Sequence, residues 1–77
     1  MTLEEVHEFL GQRPFQPFRI VTSSGEAYEV RHPEMAMLTR TAVIVGVGER
    51  RGFPEAHRTL SLLHVTAVEP VMHRDSA

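Results

Sequence analysis

The sequence predicts an α+β fold, one N-terminal helix followed by about five short antiparallel strands. Three observations carry this. Thr2 and Glu5 form a capping box ahead of Leu3, Val6 and Leu10, whose spacing is helical. Residues 13–31 read R-P-F-Q-P-F-R-I-V-T-S-S-G-E-A-Y-E-V-R, a stiff Pro-aromatic connector leading into a strand, a tight turn and a return strand. Beyond them, Ala42-Val43-Ile44-Val45-Gly46-Val47 is the most β-prone run of the chain.

The helix is expected over Leu3 to Leu10, with Phe9 widening its apolar stripe and Gly11 as a left-handed C-cap. Glu4, Glu5 and Glu8 favour its dipole. A helix this short is unstable alone, so Leu3, Val6, Phe9 and Leu10 must dock it. Pro14 and Pro17 exclude helix beyond it. Phe15 is expected to plug one end of the sheet and Phe18 to enter the core.

Phe18, Ile20 and Thr22 alternate with Arg19 and Val21 as a half-buried strand. Ser23-Ser24-Gly25 turns the chain, and Tyr28 and Val30 lie on the return strand. Pro33 breaks or bends the ladder near His32-Pro33-Glu34. Met35 to Leu38 continues that strand or starts a new one beyond a kink. Thr39-Arg40-Thr41 turns into the valine-rich strand at 42–47. Glu49 to Ala56 is expected as a loop broken by Gly52 and Pro54, with strand resuming at Arg58. Ser61 to His64 suits one tight helical turn. Val65 to Glu69 is the last strand, closed by Pro70, and 71–77 is expected as a flexible tail. A bent second strand and a short turn before the last strand fit a small SH3-like or Sm-like barrel over residues 1–70. An open, strongly bent sheet carrying the helix is the alternative.

At 77 residues the chain is one domain with a thin core. It contains no cysteine, so neither a disulfide nor a thiolate metal site is available. Small domains of this kind are commonly stabilised by a metal or a partner subunit. All eight basic residues are arginine, and lysine and asparagine are both absent, the pattern of a GC-rich genome rather than of phosphate recognition. The net charge of −2 argues against a broad nucleic-acid footprint. The acidic start Met1-Thr2-Leu3-Glu4-Glu5 has no basic n-region, which reads as a cytoplasmic chain.

The segments Arg13 to Ile20, Ser24-Gly25, His32-Pro33-Glu34 and Leu62 to Thr66 resemble a group of short bacterial proteins sharing R-P-F-x-P-F-R-I, H-P-E and L-L-H-V-T. That group has no assigned activity, so the resemblance implies no site residues. The order of elements is similar to the Sm-like fold of RNA-binding ring proteins. With no asparagine, this chain lacks the glycine-asparagine signature of their RNA-binding loop.

Catalytic motifs are missing. There is no G-x-S-x-G, and the run G-V-G-E-R-R-G from Gly46 to Gly52 is one residue too long for a phosphate loop and leads into Phe53-Pro54. No enzyme activity and no cofactor are expected. His32, Glu34 and a distant His57 or His64 offer zinc or nickel donors without a local H-x-x-x-H spacing, and they read as surface residues near turns. Arg50, Arg51, Phe53 and Arg58 combine positive charge with an aromatic ring, as in single-stranded nucleic-acid binding, but Glu49 and Glu55 dilute the charge. The stronger signal is apolar surplus. Val43, Val45 and Val47 point one way and Ala42 and Ile44 the other, and Met35 to Leu38 repeat the excess. Soluble monomers rarely leave such surface open. A homo-oligomer or a docked partner protein is therefore expected at Met37, Val43, Val45 and Val47, through the strand at 42–48.

Overall fold

Pro33 decides how the sheet divides. It opens a single 3-10 turn, Pro33–Met35, that separates β2 (Ala27–Val30) from β3 (Ala36–Leu38). Without an N–H, Pro33 cannot extend the ladder. β2 stays with its hairpin partner β1 (Phe18–Thr22), and β3 joins β4 (Ala42–Arg50). The computed structural model describes residues 1–71 and contains one helix, α1 (Leu3–Leu10), and six strands in two antiparallel three-stranded sheets. The order is β2-β1-β6 in one sheet and β3-β4-β5 in the other, with β5 at Phe53–Ser61 and β6 at Val65–Pro70. Six strands replace the expected five because the kink at Pro33 starts a new strand.

The helix begins as the sequence predicts. Thr2 Oγ1 accepts from the Glu5 N–H at 3.2 Å, and Glu5 Oε1 accepts from the Thr2 N–H at 2.9 Å. Its end differs: Gly11 has φ −89°, outside the left-handed region. The Gly11 N–H bonds the His7 carbonyl, and Gln12 Nε2 donates to the Phe9 carbonyl at 2.8 Å. A side chain thus satisfies one of the last carbonyls of the helix, which no backbone N–H of the helix reaches.

The β1–β2 turn has the expected Gly25 at φ 91°. Thr22, the one buried polar residue among the described residues, shares a 2.9 Å hydrogen bond with Ser24 Oγ. The Ser23 N–H reaches the His64 carbonyl at 2.8 Å and ties this turn to the 3-10 turn Leu62–His64. On the outer face of the first sheet, Arg19 lies opposite both Glu29 and Glu69, with the Glu69 carboxylate at 3.7 Å.

The segment 49–56 is not the loop the sequence predicts. β4 and β5 pair from Ala42↔Ser61 to Arg50↔Phe53 and form one long hairpin. Its two-residue turn, Arg51-Gly52, has φ 55° and 86°, both left-handed, as a type I′ turn requires. Pro54 is tolerated because β5 is an edge strand. Gly46 allows the arm to fold close: a Cβ there would lie 2.8 Å from Pro54 Cβ and 3.2 Å from Met35 Cε.

The core is Val6, Phe18, Ile20, Val30, Val43, Val45, Leu60, Leu62 and Val65. Phe18 is its centre. Its ring lies 5.1 Å from that of Phe9 on the helix and 5.9 Å from that of Phe15 in the connector, centroid to centroid. The tail predicted from Val71 falls outside the described residues except for Val71, whose N–H bonds the Pro17 carbonyl. Among the described residues, no helix is long and apolar enough to cross a membrane.

Phe18→Ala is expected to cost about 3–5 kcal/mol, against about 4–12 kcal/mol in total for a chain of this length. Urea denaturation should show its midpoint shifted down by a large fraction of the wild-type value. Gly46→Val should lose about 1–3 kcal/mol through overpacking against Pro54; an unchanged urea midpoint would refute the close approach. The Thr2 N–H, and then its hydroxyl, hold the Glu5 carboxyl below its ordinary pKa. The folded state therefore favours ionised Glu5. This stabilisation is complete above the unfolded pKa and is lost as pH falls through the folded one. Glu5→Gln should flatten the acid limb of a stability–pH profile while leaving its alkaline limb unchanged.

Candidate interaction surface

The valine-rich strand is shielded by its own chain. β4 is the middle strand of its sheet, so neither of its edges is free. Val43 and Val45 are fully buried in the core and cannot form the predicted contact surface. The alternation explains this: both point inward with Leu60, while Ala42 and Ile44 on the other face are half-covered. Val47 is half-buried and lines a cleft with Tyr28 and Arg58. Of the four expected contact residues only Met37, 58% exposed, is open to solvent.

Exposure concentrates instead on β5. Every residue from Phe53 to Thr59 is exposed, on both faces of the strand, and only Leu60 is buried. β5 pairs with β4 on one side, and its other edge meets no strand among the described residues. Such an edge presents unpaired N–H and C=O groups to any chain that can pair with them. Phe53, at the tip of the arm, is 72% exposed.

The four candidate nucleic-acid residues divide between two places. Arg50 and Phe53 face each other at the tip beside Arg51 in the turn. Arg50 is held 3.5 Å from Glu55. Arg58 is directed toward β2, lining a cleft with Glu26, Ala27, Tyr28 and Val47. The Tyr28 hydroxyl donates to Glu26 Oε1 at 2.7 Å, and this bond raises the phenol pKa, with Arg58 opposing the shift. The neighbouring cleft holds Arg31 together with Glu29 and Glu49. Arg50 and Arg31 are thus each paired with a carboxylate, and Arg58 lies in a cleft that Glu26 also lines.

The histidines and Glu34 do not gather as a zinc or nickel set: among the described residues no three His, Asp or Glu side chains are placed to share a metal. His57 and Glu34 do border one groove on the outer face of the β3-β4-β5 sheet, with Met35, Met37 and Ile44. His64 lies in the 3-10 turn, beside Leu63, which is 91% exposed.

Comparison with protein-family models, with curated proteins and with solved structures finds no match to this chain.

Proposed function

We propose that this chain is a non-catalytic interaction module that self-associates by pairing the free edge of β5 with a second copy. The single observation behind this reading is the run from Phe53 to Thr59, exposed on both faces and unpaired along one edge. Edge strands are usually blunted by lysine, by strong twisting or by a covering element. Here only Pro54 and a few charges serve that purpose, and the chain has no lysine. The small-barrel reading of SH3-like or Sm-like type belongs to this proposal. It is supported by the bent β2–β3 segment, the 3-10 turn before β6 and the pairing of β6 with β1.

Nucleic-acid binding by Arg50, Arg51, Phe53 and Arg58 is the weaker reading, since Glu55 pairs with Arg50 and Glu26 adjoins Arg58. A partner protein on the same edge would use the same backbone groups.

Light scattering at micromolar concentration is expected to give a particle heavier than the 8.7 kDa chain. Replacing Ala56 and His57 together by lysine puts charge on both faces of the edge, and should weaken association about tenfold or more. A monomer at every concentration would contradict self-association. Salt-dependent binding of single-stranded RNA that is lost in Arg50→Ala/Arg51→Ala would favour the other reading.

A further inference from the structure

The exposed run of β5 carries Glu55, His57 and Arg58, a charge pattern that complements itself in only one alignment. We propose that β5 pairs antiparallel with β5 of a second copy about a two-fold axis at Ala56, which sets each His57 against the partner's Glu55, so that a proton on His57 tightens the dimer. This rests on the open edge of β5 being the pairing surface.

The alignment follows from ladder geometry and charge. The Leu62 N–H bonds the Thr41 carbonyl, in the register that pairs Ala42 with Ser61. Alternation back along the strand points the backbone groups of Leu60 and Arg58 toward β4, and those of Thr59 and His57 toward the open edge. In an antiparallel ladder edge-facing residues meet edge-facing residues, so a two-fold between identical strands places one residue opposite its own copy. A two-fold at Glu55, His57 or Arg58 opposes two carboxylates, two imidazoles or two guanidinium groups, and like charges directly opposite destabilise a pair. At Phe53 or Pro54 the ladder runs off the Arg51-Gly52 turn. At Thr59 half of it falls on Leu60 and Ser61, outside the exposed run. Ala56 remains, uncharged, small and at the midpoint of Phe53–Thr59. About it Glu55 faces the partner's His57, Arg58 the partner's Pro54 and Phe53 the partner's Thr59, with no like charges opposed.

Glu55 and His57 stand on one face. Gly46 pairs with His57, and a Cβ on Gly48 would lie 3.5 Å from Glu55 Cβ, so the two side chains stand over glycines two apart on β4. Besides His57, the one ionisable residue lining its groove is Glu34; Met35, Met37, Ile44 and Pro54 are uncharged. Glu55 lies 3.5 Å from Arg50 and is half-exposed, so its carboxylate is shared between Arg50 and the partner's His57, which limits the gain. Arg58 is directed away, toward Tyr28 and Glu26. An imidazolium that meets this second carboxylate only in the dimer makes association take up protons. Pairing therefore strengthens as pH falls through the histidine range, about 6.5.

Sedimentation equilibrium of the full chain is expected to show dimerisation about three- to tenfold tighter at about pH 5.5 than at about pH 8. His57→Gln and Glu55→Gln should each still dimerise and lose that difference, whereas Glu34→Gln should retain it. The chain has no cysteine, so Ala56→Cys gives one thiol per copy and should cross-link the dimer on oxidation, while Arg58→Cys should not. Dimerisation that does not vary with pH, a pH difference that survives in His57→Gln, or cross-linking through position 58 instead of 56 would overturn this alignment and leave self-association through β5 standing. A monomer at both pH values and every concentration would overturn both.

Discussion

The packing of Phe18 is the contact on which the rest of the structure depends. It sits on β1, the middle strand of its sheet, and is completely buried. Phe9 and Phe15 lean on it from the helix and from the connector. A two-turn helix has too little hydrogen bonding to persist by itself, so its position is set by what it covers. Val6 and Phe9 close the core over Phe18, and the capping box fixes where the helix starts. This aromatic group, with Val6, Leu3 and Leu10 packed against the same core, holds the helix and the connector to the sheet.

A core of nine buried apolar residues among those described cannot reach every strand. The two sheets divide it unequally. β1 contributes Phe18 and Ile20, and β4 contributes Val43 and Val45, whereas β5 contributes Leu60 alone. The remainder of β5 is held only by its ladder to β4, by the tight Arg51-Gly52 turn and by the close approach over Gly46. A thin core therefore has two consequences. It buries the valines expected to be exposed, and it leaves a hairpin arm with one open edge. That open edge is the basis for proposing a second copy as partner.

Much of this was legible in the sequence. The capping box, the Phe18-Ile20-Thr22 alternation, Gly25 in its turn and the break at Pro33 each follow from one residue's local chemistry, and each is in place. The arm was not legible. Arg51-Gly52 lacks the asparagine or aspartate that marks a type I′ turn, and Gly52 and Pro54 read as breakers when no sheet edge is in view. The burial of Val43 and Val45 is hidden in the sequence for a related reason. An apolar run shows that both faces of a strand are greasy, but not that two neighbouring strands flank it.

The central claim is that the open edge of β5 is a pairing surface. Amide hydrogen exchange along Phe53–Ser61, measured across a range of protein concentrations, tests it at the atoms concerned. In dilute protein, amides bonded to β4 should be protected and those on the outer edge should exchange freely. As concentration rises, the outer amides of β5 should become protected too, while those of β2, on the edge of the other sheet, remain unchanged. Outer β5 amides that exchange at the same rate at every concentration would contradict the account.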